Sequence, residues 1–321
     1  WWDKSASEAG CTVGFGIDSI AGAATGRMDV CRLAERALAW DAGVVRYAID
    51  AAPGALVLKA SGLPYHKSGA SEAQELGVML AAAIACLRAC EMQQITPQDA
   101  ASRVELELAA DAELFLTIAK LRAARLLWAR LGEECGFASP ARLGVQTSAR
   151  IMCVSDPQTN MVRTSIAALG AGIGGADALT ILPFTHAIGR PDAYARRIAR
   201  NTAHILSDEA RIGEVADAAA GSWAIESFTH ALCEAAWNVF TQIESEGGIV
   251  QSLLSGSLQG RIATSRAGLV ADIAEGRRVL VGATDYKPES VPAVTVEPWS
   301  TPPQIDGSVP TLRPIRLEGG S

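Results

Sequence analysis

Paired cysteines, basic blocks and long apolar runs are all missing from this chain, and each absence closes a class of function. The seven cysteines are dispersed, odd in number and never spaced CxxC. That excludes a disulfide framework and a structural zinc site, and a reducing cytoplasm is the expected setting. No block of Lys and Arg interrupts a formal net charge of −7, so nothing here tracks a phosphate backbone and nucleic acid is not an expected partner. The apolar run Gly77 to Leu87 stops at 11 residues, short of the roughly 18 needed to suggest a membrane span, so no membrane association is expected. Aromatic residues make up only 5%, and no GxSxG, HExxH, Walker or EF-hand pattern occurs. The chain opens Trp1-Trp2-Asp3 with neither an initiator Met nor a signal peptide, as a processed chain or a fragment would.

What is present is an alternation of short β-type runs with longer helical ones, the pattern of parallel strands joined by helical crossovers. Strands are expected at Cys11–Ile17, Ala55–Ala60, Val104–Leu108, Ala141–Thr147 and Asp177–Phe184. Ser71-Glu72-Ala73-Gln74 is a capping box that opens a helix to about Cys90, on which Cys86 and Cys90 read as small buried residues. Further helices are expected over Ala112–Glu134, over Asn160–Ala168, and from Pro191 to about Leu206. Another is marked by the apolar stripe Leu232, Ala236, Val239, Phe240 and Ile243, which stops at Gly247-Gly248. Seven of the 14 prolines fall in the last 34 residues, so 288–321 reads as an extended arm or linker that leads to a further segment or wraps a partner.

The cluster Gly170-Ala171-Gly172-Ile173-Gly174-Gly175 is not a dinucleotide fingerprint. It closes a helical pattern and leads into a strand, the reverse of the strand-to-helix order that chemistry requires, so a helix-to-strand turn is expected. His186, His204 and His230 have no metal-ligand spacing, and no metal site is expected. His66, beside Tyr65, lies between an expected strand and a capped helix, the junction where α/β barrels assemble active sites; a structural, hydrogen-bonded histidine is the other reading. Lys120, Arg122, Arg125 and Arg130, and separately Arg196, Arg197 and Arg200, lie on expected helices. Ion-paired faces and contacts to an anionic ligand or partner subunit are both open for them.

Five ordered motifs carry a resemblance. They are Phe115 to Ala129 (FLTIAKLRAARLLWA), Gln146-Thr147-Ser148, Asp156-Pro157 with Asn160 and Val162-Arg163-Thr164, Ala195 to Thr202 (ARRIARNT), and Ala219-Ala220-Gly221-Ser222. In this order they resemble methylmalonyl-CoA mutases over nearly the whole chain. The resemblance implies an α/β fold: the later portion, about strands 4–8, of a TIM-type (β/α)8 barrel threaded by coenzyme A, followed by helices and a Pro-rich linker. It implies boundaries at 1–225 for the partial barrel, 226–287 for a helical extension and 288–321 for the linker arm, with the cobalamin domain absent. About three further strands would precede Trp1, and a cobalamin-like domain would follow Ser321.

Within that family the chain is most similar to the small subunit of bacterial heterodimers, which does not catalyse. Gly174 to Phe184 (GGADALTILPF) stands where catalytic chains read Gly-Gly-Thr-Gln-Ser-Leu-His-Thr-Asn, so that Asp177 replaces Gln and Thr180 replaces His. Gly16-Ile17-Asp18 takes the place of a Gln-Asn-Asp run. Tyr65 and His66 match a substrate-facing Tyr-His pair and are vestigial catalytic candidates, although the loop Lys67-Ser68-Gly69-Ala70 is two residues shorter than its catalytic counterpart. Gln146 is a candidate acyl-CoA contact. No histidine has Asp two positions before it, so the Asp-x-His-x-x-Gly signature for cobalamin is lacking and no cofactor is expected on this chain.

The resemblance therefore implies a non-catalytic isomerase subunit that docks on a homologous catalytic subunit, with adenosylcobalamin used by the complex as a whole. Two alternatives stand beside it: a catalytic barrel that borrows its cobalamin domain from another chain, and a solitary coenzyme A-binding barrel fragment.

Overall fold

A computed structural model describes residues 13–290, 294, 296–300 and 309–318. Five strands, β1 (Gly14–Ile17), β2 (Leu56–Ser61), β3 (Val104–Ala110), β4 (Leu143–Thr147) and β5 (Ala178–Thr180), form one parallel sheet in chain order. The sheet curls into a half-barrel with helices on its outer face, a partial (β/α) barrel of the α/β class. Parallel neighbours need a crossover, and helices supply each one. They are α1 (Ser19–Ala24) and α2 (Leu38–Ala51) after β1, α3 (Leu63–Lys67) and α4 (Glu72–Met92) after β2, α5 (Leu114–Cys135) after β3, and α6 (Thr159–Ile173) after β4. Beyond β5 follow α7 (Ala193–His204), α8 (Trp223–Ser245), α9 (Ile249–Ser255) and α10 (Ser257–Ala274).

The pleat sorts the side chains of each strand between two faces. Leu58, Val104, Leu106, Leu108, Leu143 and Val145 are buried in the main core with the helices. The register pairs Lys59 with Glu105, Ser61 with Glu107, Glu107 with Gly144, and Gln146 with Thr180, so these residues share the inner face. A complete barrel of this type fills its interior mainly with branched apolar side chains, whereas this concave wall is polar.

Local chemistry explains the helix ends. The Ser71 hydroxyl accepts from the Gln74 amide (3.3 Å) and the Gln74 side chain accepts from the Ser71 amide (2.9 Å), so the capping box forms as its sequence requires. Gly136 ends α5 in the left-handed conformation. The stripe on α8 buries Ala236, Phe240 and Ile243, and α8 packs across both α4 and α5. At that crossing a Cβ on Gly77 would stand 2.7 Å from Val239 and 2.8 Å from the Ala236 carbonyl oxygen, so only glycine permits the approach.

Three expectations shift. The last strand is Ala178–Thr180 and not Asp177–Phe184, because the Leu182 amide turns away to donate to the Thr147 hydroxyl (2.8 Å). Gly170 and Gly172 lie inside α6, where Gly170 packs against Leu114 and Thr117; the turn begins only at Gly174. The next helix starts at Ala193, capped by Asp192, whose carboxylate accepts from the Ala195 amide (2.7 Å), so Pro191 precedes the cap. Cys11 and Thr12 lie outside the described residues.

Cys86, Cys90, Cys135, Cys153 and Cys233 are free thiols, and burial pushes Cys90 up to about 11, as suits packing residues. Among the described residues no helix is long and apolar enough to cross a membrane, and no group of His, Cys, Asp and Glu is placed to hold a metal ion.

Candidate functional site

The loops at the C-terminal ends of the strands converge on His66, which follows β2 on α3 and is fully buried. Its Nδ1 lies 3.1 Å from Glu75 Oε2 and its Nε2 2.9 Å from the Ser148 hydroxyl at the end of β4. Burial first, then the nearby Arg150, holds the imidazole below its ordinary pKa, so at neutral pH it is uncharged. Nδ1 then donates to the carboxylate and Nε2 accepts from Ser148, whose oxygen in turn accepts from the Arg150 amide (3.2 Å).

Glu75 is the hub. Its Oε1 accepts from the Ala109 amide (2.6 Å) and its Oε2 from Lys120 Nζ (2.6 Å). Burial alone would raise this carboxyl, but Lys120 and His66 outweigh it and hold Glu75 at about 2. A parallel pair completes the network. The Arg150 guanidinium meets Asp111 (3.1 Å) and donates to the Ala70 carbonyl (2.9 Å), keeping Asp111 below its usual range despite its burial. Corners after β2, β3 and β4 are thus tied into one buried polar unit.

Ser148, His66 and Glu75 have the bonding order of a hydrolytic triad. None of the three lines either of two cavities at the strand ends, and their bonds tie the corners after β2 and β4 together inside the protein. One of these cavities, about 510 Å³, includes Asp18, Ser61, Lys67, Glu107, Leu312 and Pro314 in its wall. The other, about 640 Å³, includes Ala149, His186, Trp299, Pro314 and Arg316.

Within the first cavity wall, Asp18 Oδ1 accepts from the Ala21 amide (2.8 Å), while Oδ2 is buried without a hydrogen-bond partner among the described residues. Burial pushes this carboxyl up to about 7. On the inner wall Glu107 accepts from Lys59 (2.8 Å) and Ser61 (2.5 Å), and Gln146 accepts from Lys67 (3.1 Å). Tyr65 is fully buried, and its hydroxyl has no hydrogen-bond partner among the described residues. His186, pushed down to about 4 by burial, packs edge-on against Trp299, whose indole donates to the His186 carbonyl (2.9 Å).

The basic residues divide. Lys120 is spent on Glu75, Arg122 bridges Asp217 and Glu226, and Arg130 stacks on Trp237. Arg125 pairs with Asp177 (3.1 Å), which also accepts from the Leu143 amide (2.8 Å). Asp177 therefore staples the N-terminal foot of β5 and does not face the mouth, while Thr180 lines a separate groove beside Arg196 and Arg200. On α7, Arg197 and Arg200 have no acidic partner among the described residues.

Glu75, Asp111 and Arg150 are not marked by any motif, and Ser148 stands in the sequence only as part of Gln146-Thr147-Ser148. The one local signal is an acid at position 75 directly before the uncharged apolar run from Leu76 to Leu87.

A curled parallel half-sheet with helices on its outer face defines the chain as part of a (β/α)-barrel protein. The family model for methylmalonyl-CoA mutase matches residues 29–306, and the chain belongs to that family. It is 44% identical over 263 residues to the methylmalonyl-CoA mutase small subunit of Streptomyces virginiae, covering 81% of this chain and 42% of that one. It is 34% identical over 247 residues to the small subunit of Propionibacterium freudenreichii subsp. shermanii, covering 76% and 39%. A methylmalonyl-CoA mutase of Escherichia coli is 33% identical over 231 residues, covering 71% and 32%. The chain spans about two fifths of the length of the small subunits it matches.

Proposed function

We propose that this chain is barrel sequence of a methylmalonyl-CoA mutase small subunit, an isomerase subunit that does not itself catalyse and that supports a homologous catalytic subunit. The complex would interconvert methylmalonyl-CoA and succinyl-CoA with adenosylcobalamin, in the cytoplasm. On this reading residues 1–225 belong to the barrel, 226–287 extend it and 288–321 form the arm. The observation that carries it is the state of His66: the retained imidazole has both nitrogens engaged inside the protein and lines neither mouth cavity.

The residues present do not fit a cobalamin. No histidine of the sequence has Asp two positions before it, and Pro314 lies in the walls of both mouth cavities, so neither offers the single broad floor a corrin would need. The corrin chemistry, which supplies the radical, is assigned to the partner.

The test is reconstitution with a homologous catalytic subunit and adenosylcobalamin. Activity is expected only with both chains present, and His66→Asn in this chain should leave kcat within twofold. Turnover by this chain without a catalytic subunit would overturn the proposal. Retention of Tyr65-His66 favours a second reading, a catalytic barrel served by a cobalamin domain on another chain; activity with such a domain alone, abolished by His66→Asn, would establish it.

A further inference from the structure

The Pro-rich arm returns to the barrel mouth. From Thr311 to Arg316 it runs without helix or strand and then turns at Leu317-Glu318, with Leu312, Ile315 and Leu317 buried and Arg313, Pro314 and Arg316 exposed. Its amides bond to successive corners at the strand ends. Leu312 donates to the Ala24 carbonyl at the end of α1 (2.8 Å), Ile315 to Lys67 at the end of α3 (2.8 Å), and Leu317 to Arg150 after β4 (3.2 Å). The Glu318 carboxylate then accepts from the amides of Val154 and Ser155. At the near end, Gln259 on α10 donates to the Pro310 carbonyl (3.1 Å).

The receiving surface is shaped for this passage. Gly26 holds a φ of +75°, and a Cβ there would stand 2.8 Å from Thr311. Ile315 and Leu317 close a small apolar cluster with Ile151, Cys153, Leu280 and Ala283. The bonded carbonyls of Lys67 and Arg150 lie on the two segments that hold His66 and Ser148, so the arm passes over the corner that carries the retained Tyr-His pair. Pro314, which has no amide hydrogen and a fixed φ, lines both mouth cavities.

We propose that residues 311–318 are a built-in strap that occupies the mouth of this barrel, divides it at Pro314 and excludes an acyl-CoA from it. The strap makes a lasting block out of what side-chain replacement alone would leave as an open vestigial cavity. Its backbone crosses the strand ends, and its buried apolar side chains fix it there, Leu312 in the main core and Ile315 and Leu317 in the cluster around Ile151 and Leu280. The identity of the excluded ligand rests on the mutase reading, whereas the strap itself rests on the contacts above.

Hydrogen exchange on the full chain tests the strap directly. The amides of Leu312, Ile315 and Leu317 should exchange at least 100-fold more slowly than in an unstructured peptide. The double variant Ile315→Ser/Leu317→Ser should bring all three within tenfold of the peptide rate and raise the affinity for coenzyme A, measured by calorimetry, at least tenfold. Glu318→Gln removes only an anchor and keeps the apolar contacts, so it should speed the Leu317 amide with unchanged circular dichroism and move coenzyme A affinity in the same direction. It decides the matter if the double variant fails to fold. Peptide-like exchange in the parent chain would refute the strap; released amides with no gain in coenzyme A affinity would refute its excluding role. Neither measurement needs the catalytic subunit, so either can fail while the subunit reading stands.

Discussion

Replacing Lys120 with Met should reverse the pH dependence of stability contributed by the buried brace. In the parent chain Lys120 Nζ sits 2.6 Å from Glu75 Oε2 and both side chains are essentially sealed from water. Glu75 is held at about 2 against an ordinary 4.5, and each pKa unit corresponds to about 1.4 kcal/mol. Its ionised form therefore contributes about 3 kcal/mol, present above pH 4.5 and lost as pH falls toward 2. Lys120→Met leaves the carboxylate with the Ala109 amide and His66 but no fixed cation. Breaking such a pair from one side costs roughly 3–5 kcal/mol.

Burial then dominates and Glu75 moves above its ordinary value. A raised carboxyl favours the protonated folded state, so the variant should lose stability as pH rises through that new value. Urea denaturation followed by circular dichroism at pH 5 and 7 measures both effects. The expected result is a loss of about 3–5 kcal/mol at pH 7 that shrinks at pH 5. Replacing both partners, Glu75→Leu with Lys120→Met, should recover most of it, because no lone charge remains buried. A loss below about 1 kcal/mol, or a variant that is less stable at pH 5 than at pH 7, would refute the account of the brace.

Two further outcomes follow from the same reasoning. Asp18, raised from 3.8 to about 7, is penalised when ionised in the folded state, so Asp18→Asn should stabilise more at pH 8 than at pH 5, by about 2–3 kcal/mol; equal effects at both pH values would show that the carboxyl titrates normally. Gly77→Val should force α4 and α8 apart and cost about 2 kcal/mol, read as a lowered Tm; an unchanged Tm would mean that the crossing has slack.

Much of the fold was legible because it rests on local patterns. The capping box at Ser71, the helix stop at Gly136 and the apolar stripe on α8 are each decided within a few residues by backbone hydrogen bonding or side-chain periodicity. The alternation of strands with helices then leaves parallel pairing as the simple topology. Elements whose limits depend on distant partners were harder to read. The last strand ends early because Leu182 finds a hydroxyl on β4, and α6 runs through its glycines because α5 packs against them.

The candidate site shows the same division more sharply. The sequence located His66 at a strand-to-helix junction and paired it with Tyr65, but its bonds go to Glu75, nine positions away, and to Ser148, 82 positions away. Helical spacing placed Lys120, Arg122, Arg125 and Arg196 alike on helices, and only packing distinguished a buried ion pair, a bridge to α8, a strand staple and a groove lining. Asp177 takes the place of a Gln of catalytic chains, and its position at the foot of β5 ties it to Arg125.

By itself, then, the sequence determined the family, the helix ends set by the Ser71 capping box and Gly136, and the parallel half-barrel. Those properties follow from order, periodicity and backbone hydrogen bonding, which act over short stretches of chain. Tertiary structure alone decided that His66 is enclosed, that Glu75 carries a buried charge and that the arm closes over the mouth. Each of these depends on groups far apart in sequence meeting where water is excluded, and there the cost of an unpaired charge or an open apolar face selects the arrangement.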